Sequence, residues 1–356
     1  MKFEKFSWGI LEWYENNKRD LPWREYTDPY IIWLSEIILQ QTRVDQGLSY
    51  FNKFIAKYPT VELLAEAEEQ EVLRLWQGLG YYSRARNLHF SAKKINEDYE
   101  GVFPPSYQAL LKLKGVGRYT AAAIASFAYK EPVAVVDGNV LRVLARVFGI
   151  KDDIASGRGM KEFERLAADL LPSLNSHIYN QGIMEFGALH CTPQLPKCVT
   201  CPFNSFCYAF QHSAQKTLPV KSKKLKKKER YFHYLVFKSN DSLLMQRRGS
   251  NDIWKGLFEF LLLEGNDSFT TPQTILAEKH IDFTDAACIN LVLLSEKKHI
   301  LTHQNIYAKF WLVEIHDEAM YGRALKIFDL QSFEIEEVHT LPKPVLINNF
   351  LINHIF

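Results

Sequence analysis

The sequence predicts a multidomain protein, an all-α domain followed by an α+β domain, on three observations. Apolar residues recur at helical spacing from residue 1 to about 210, a dense basic stretch follows, and beyond it short runs of β-branched and aromatic residues take over. At 356 residues, with 47% hydrophobic and 24% charged, the chain is long enough for two cores and too apolar for disorder.

In the first domain, residues 1–211, helical spacing marks Ile31 to Gln41, Val61 to Leu79, Ser106 to Leu113, Tyr119 to Phe127, Val140 to Phe148 and Met160 to Leu171. Residues 212–230 form a basic linker that crowds Lys216, Lys221, Lys223, Lys224, Lys226, Lys227, Lys228 and Arg230 into one segment. Such a run serves equally as a solvated tether and as a phosphate-tracking stretch. In the second domain, residues 231–356, strands are expected at Tyr231 to Phe237, Leu243 to Gln246, Leu257 to Leu263, Leu291 to Leu294 and Ile306 to Ile315. Helices are expected there at Thr271 to Lys279 and Lys343 to Ile352. The start, Met1-Lys2-Phe3-Glu4-Lys5, lacks an apolar leader, and no apolar run approaches the span of a bilayer. The expectation is a cytoplasmic monomer with no membrane partner.

Cys191, Cys198, Cys201 and Cys207 are separated by six, two and five residues, and the chain has only one other cysteine. Thiols this dense read as a soft-metal site, either structural Zn²⁺ or a [4Fe–4S] cluster, and the wide first gap mildly favours the cluster. Cys288, in an apolar run, reads as a small core residue.

Three segments carry chemistry. Leu113-Lys114-Gly115-Val116-Gly117-Arg118-Tyr119-Thr120-Ala121 joins two short helices through a turn with two glycines. Its outward amides at a helix N-terminus suit a nucleic-acid phosphate, with Arg118 at the tip. Asp137 stands just before an amphipathic helix, where it can cap the helix; the amides and dipole there favour an ionised carboxylate able to stabilise a nearby cation. Glu36 is the sole acid in an apolar helix, with Ile32, Trp33, Leu39 and Gln40 as helical neighbours, so burial is expected to raise its pKa toward neutrality. Two carboxyls with pKa values pushed apart form the pattern of acid-assisted glycosidic cleavage.

The hairpin with Gly115 and Gly117, then Asp137, then the cysteine loop resembles the helix-hairpin-helix DNA glycosylase superfamily. Within it, Trp33 to Thr42, Gly78-Leu79-Gly80-Tyr81-Tyr82-Ser83-Arg84 and Val136-Asp137-Gly138-Asn139-Val140 look like the MutY-type adenine DNA glycosylases. The resemblance implies a base-excision repair enzyme acting on duplex DNA with adenine opposite 8-oxoguanine or guanine, and a [4Fe–4S] cluster on the four cysteines. It implies that Glu36 protonates the flipped adenine and Asp137 stabilises the sugar cation, supported by Tyr119 and Asn139. Gln41 and Tyr81 match residues that fill or wedge the vacated space; Arg24 and Gln181 match positions lining the adenine pocket.

The related endonuclease III type forms a Schiff base through a lysine after the hairpin. Tyr119 at the matching position cannot, so a monofunctional enzyme is implied. The second domain resembles a MutT-like recognition domain, best at Trp254 to Phe260, and lacks the paired glutamates of its hydrolytic relatives. Thr302 and His303 match a lesion-contacting turn, with Leu301 in place of the family's aromatic residue. The competing readings are an oxidised-pyrimidine or thymine-mismatch glycosylase and a noncatalytic DNA-binding protein.

Overall fold

In the computed structural model the described residues are 2–222, 227–250, 252–267, 270–278, 290–315 and 318–356. Residues 223–226 of the basic run, with Lys223, Lys224 and Lys226, and Cys288 therefore lie outside the described residues. Cα packing divides the chain into two units, Met1–Glu66 with Asn87–Lys224, and Ala67–Arg86 with Leu225–Phe356.

The first unit is helical. Its central helix, Pro29–Leu39, starts where the Asp28 carboxylate accepts from the Tyr30 amide and Pro29 presets the first turn. Every residue from Tyr30 to Ile38 is buried, Glu36 included, so this helix has no solvated face. It packs against Arg118–Tyr129, and the Gln40 amide reaches the Thr120 hydroxyl at 3.2 Å. A second core lies between Lys2–Asn17, Gly138–Phe148, Gly157–Asp169 and Ser176–Leu189, built on Phe6, Ile10, Leu144, Phe163, Ile183 and Phe186. Gly138–Phe148 ends at Gly149, whose φ of +75° closes the helix in the left-handed conformation.

The helices expected around residues 31, 106, 119, 140 and 160 are present, with shifted ends. The stretch expected as one helix from Val61 to Leu79 is instead two, Val61–Glu66 and Glu69–Leu75, because Glu68 is extended (φ −71°, ψ 137°) and Gly78 and Gly80 take φ of +108° and +70°. Among the described residues, the helices Lys2–Asn17, Val44–Lys57, Ser83–Tyr99, Ser176–Leu189 and, in the second unit, Glu318–Phe328 carry no sequence expectation. Among the described residues no helix is long and apolar enough to cross a membrane.

The second unit is built on strands β1 (Lys228–Ser239), β2 (Ser242–Arg247), β3 (Phe258–Glu259), β4 (Leu261–Gly265), β5 (Asn290–Ile300), β6 (Gln304–Glu314) and β7 (Gln331–Glu334). Among the described residues the order is β3-β2-β1-β6-β5, with β4 paired to β1 and β7 to β2. β1 and β6 run parallel, placing Tyr231 beside Tyr307, and the other pairs are antiparallel. One face packs on the C-terminal helix Val345–His354 through the Phe310 and Phe350 rings, 4.2 Å apart. The other packs on Glu318–Phe328 through Phe237 and Phe328. The expected strand Leu257 to Leu263 divides into β3 and β4, and β5 extends past Leu294 to Ile300.

Candidate active site

Glu36, Tyr119, Asp137, Asn139, Arg24 and Gln181 all line one cavity of about 570 Å³ in the first unit. Glu36 is held there by its helix at 7% exposure. Burial pushes its carboxyl up to about 7, while a hydrogen bond from Tyr119 and the Arg24 charge pull down and the Asp137 charge pushes up. The Tyr119 hydroxyl donates to Glu36 Oε2 at 2.5 Å, and burial, reinforced by Glu36 and Asp137, holds that phenol well above the usual range. Tyr119 lies in the first turn of the Arg118–Tyr129 helix, which is capped at Gly117.

Asp137 caps Gly138–Phe148 as expected, its Oδ1 accepting from the Val140 amide at 2.7 Å. Asn139 Nδ2 donates to the other oxygen at 2.7 Å. The direction of its pKa differs from expectation. Burial outweighs the helix amides, the Asn139 side chain and Arg142, so the carboxyl lies above its ordinary value rather than below it.

Three residues that sequence reasoning passed over complete the site. Arg142 Nη2 donates to Asn139 Oδ1 at 2.8 Å and to Gly187 O at 2.6 Å, and its Nε to Cys191 O at 2.8 Å, fixing the amide that orients Asp137. Gly187 permits this: a Cβ there would lie 2.7 Å from Asn139 Cβ and 3.0 Å from Asn139 O. Glu185, 1% exposed, is clamped by Arg19 (2.7 Å to each oxygen) and Arg24 (2.8 and 3.2 Å). Burial opposes its charge, but those hydrogen bonds prevail and hold the carboxyl at about 2. Gln181 Oε1 accepts from the Tyr14 hydroxyl at 2.6 Å. The lone acid within an apolar helix that drew notice to Glu36 is also the signal at Glu185; Arg142 reads in sequence as a surface arginine.

Gln41 is exposed just beyond the helix of Glu36, with φ +56°. In the hairpin, Gly115 takes φ +79°, and a Cβ there would strike Asn87 Cβ at 2.7 Å, so the turn requires glycine. Gly117 and Arg118 are exposed, and Arg118 meets Glu164 at 3.2 Å. Tyr81, Thr302 and His303 belong to the second unit. Thr302 and His303 are exposed on the turn between β5 and β6, and the Thr302 hydroxyl is hydrogen-bonded to that of Tyr81.

The cysteine expectation requires correction. All four thiols line one small cavity, yet among the described residues no group of three or more His, Cys, Asp or Glu side chains is arranged to hold a metal ion. The four cysteines are free, with no disulfide between them, and three of the sulfurs take part in hydrogen bonds. Cys207 Sγ donates to Arg146 O at 3.4 Å, Arg146 Nη1 donates to Cys191 Sγ at 3.5 Å, and Gln215 Nε2 to Cys198 Sγ at 3.9 Å. Burial pushes the Cys201 thiol up to about 12 and raises those of Cys191 and Cys207. The residues as arranged do not fit a [4Fe–4S] cluster. Arg146 instead ties the segment to its helix, donating to Thr192 O, Pro193 O and Gln215 O at 2.7–2.9 Å.

Residues 34–169 match the HhH-GPD superfamily of base excision DNA repair proteins, and residues 233–353 match the NUDIX domain. The chain is 33% identical over 302 residues to the adenine DNA glycosylase of Buchnera aphidicola subsp. Acyrthosiphon pisum (strain APS), covering 84% of this chain and 85% of that one. It is 36% identical over 364 residues to the adenine DNA glycosylase of Arabidopsis thaliana, covering 88% of this chain and 58% of the relative. Among solved structures, a thermostable thymine-DNA glycosylase matches at 32% identity and a TM-score of 0.55, over 59% of this chain and 97% of its own. A non-covalent endonuclease III–DNA complex shares the fold at 23% identity and a TM-score of 0.53, over 61% of this chain and all (100%) of its own. With relatives this similar along most of its length, the chain belongs to the adenine DNA glycosylase family.

Proposed function

We propose that this protein excises adenine opposite 8-oxoguanine or guanine from duplex DNA by hydrolysing the N-glycosidic bond, leaving an abasic site with the strand intact. The observation that carries this reading is the buried Glu36 carboxyl, with a pKa of about 7, sharing a cavity with Asp137. The relatives' names supply the base.

The target base must leave the stack to enter a cavity of this kind. Glu36, protonated near neutrality, donates to adenine N7. The C1′–N9 bond then breaks with its electron pair going to the departing base. The sugar cation is stabilised by Asp137, whose charge is supported by the Val140 amide and Asn139. Water adds to C1′ and gives its proton to the Glu36 carboxylate, which restores the acid. Tyr119 holds Glu36 in place and, having no amine, forms no imine, which accounts for an intact strand.

Thr302 and His303 are the residues assigned to contact with the base opposite adenine. The thymine-DNA glycosylase similarity, over 59% of this chain, supports a second reading, thymine excision. Single-turnover assays on duplexes carrying adenine or thymine opposite 8-oxoguanine or guanine separate the two. Release of thymine or oxidised pyrimidines in place of adenine, or strand breaks without alkali, overturns the proposal.

A further inference from the structure

The segment between Glu69–Leu75 and Ser83–Tyr99 has an unusual backbone. Gly78, Gly80 and Tyr81 take φ of +108°, +70° and +47°, and Tyr81 is the one non-glycine of the three. Its ring is nevertheless 40% exposed, so burial of Tyr81 itself does not hold this conformation.

The Tyr81 hydroxyl is hydrogen-bonded to that of Thr302, and the bonds that hold the backbone and the base of the ring come from beneath. Trp76 Nε1 donates to Gly80 O at 3.0 Å, and Arg84 Nη2 donates to Leu79 O and Gly80 O at 3.3 Å each. The Arg84 guanidinium lies 5.1 Å from the Trp76 ring centre and 5.7 Å from that of Tyr81, bridging a buried aromatic and an exposed one. The Arg84 amide closes the turn by donating to Tyr81 O at 2.8 Å. A planar cation with several donors can stack on two rings while bonding to two carbonyls; a lysine ammonium cannot do both. The half-buried guanidinium is desolvated enough to bring its pKa down to about 10, in keeping with a packed role.

We propose that Arg84 is a positioning residue that fixes the Tyr81 ring in the pose from which it enters the space vacated by the target base. This rests on the reading of Tyr81 as the wedge. Arg84 touches no reacting atom; it acts by sparing Tyr81 a search among ring and backbone conformers when DNA binds.

The test is a double-mutant cycle on the full chain with Arg84→Lys, Tyr81→Ala and the double variant. It is read by single-turnover excision of adenine opposite 8-oxoguanine and by the fluorescence of 2-aminopurine beside the target. Arg84→Lys is expected to slow excision by about tenfold and reduce the unstacking signal, with an unchanged melting temperature and no further loss in the Tyr81→Ala background. Wild-type excision by Arg84→Lys, or an equal loss with and without Tyr81, overturns the proposal while leaving the wedge reading intact. Unaltered excision by Tyr81→Ala removes the wedge and the proposal with it. If Arg84→Lys does not fold, Trp76→Phe removes only the indole bond to Gly80 O. Its expected few-fold loss must likewise vanish in the Tyr81→Ala background, and persistence of that loss overturns the proposal.

Discussion

Replacing Glu36 with glutamine should slow excision severely and stabilise the protein in alkaline solution. The carboxyl has an ordinary value of 4.5 and lies at about 7 in the fold, so it binds a proton more tightly folded than unfolded. Stability therefore falls as pH rises from about 4.5 and levels off above about 7, where the buried group is charged in both states. The shift corresponds to about 3 kcal/mol, an order-of-magnitude figure. Glutamine has no charge to bury and keeps an acceptor for the Tyr119 hydroxyl. The stability of Glu36→Gln minus that of wild type should then increase by about 3 kcal/mol between pH 5 and pH 8 in urea unfolding. Single-turnover excision by the wild type should fall about tenfold per pH unit above about 7 as the acid is lost, and the variant should be slower by about 10²–10⁴-fold. A stability difference independent of pH would refute the burial argument. Full activity in the variant would remove Glu36 from the chemistry.

Two further outcomes follow from the same geometry. Tyr119→Phe removes the hydrogen bond that favours the Glu36 carboxylate, so the alkaline limb of the excision profile should move to higher pH; a move to lower pH would contradict the assigned direction. Gly187→Ala forces a methyl against Asn139 and should cost about 1–3 kcal/mol in urea unfolding, with slower excision because the amide on Asp137 is displaced. Wild-type stability there would show that the two helices can part without loss.

What the sequence makes legible is local. Glu36 stands out as one acid in an apolar helix, Asp137 as a helix cap, and Gly115 as a turn residue, because each is set by neighbours within about four positions. The sheet strands are legible through their β-branched and aromatic runs, whereas Lys2–Asn17 and Ser83–Tyr99 mix charges and aromatics too evenly to declare a face. Partners distant in sequence are hidden. Arg142 reaches Gly187 and Cys191, Glu185 gathers Arg19 and Arg24, and Tyr81 meets Thr302, all pairings created by the fold. The cysteines show the converse failure. Their spacing suggests a shared ligand set, but spacing does not report how the fold arranges the side chains, and among the described residues no group is arranged to hold a metal ion.

The two carboxyls illustrate why direction alone does not assign roles. Burial raises both, so sequence logic that drives one up and the other down is too simple. What separates them is the donors they face. Asp137 has an amide on one oxygen and the Asn139 side chain on the other, with Arg142 behind Asn139, and every one of these favours its charged form. Glu36 has one phenol donor and otherwise apolar helix, and the charge of Asp137 pushes it further toward the acid. Of the two, the proton therefore resides on Glu36 near neutrality, where it can be given to a leaving base, and the negative charge resides on Asp137, where a sugar cation would need it. The division of labour arises from donors at the first turn of one helix and from their scarcity in the middle of another.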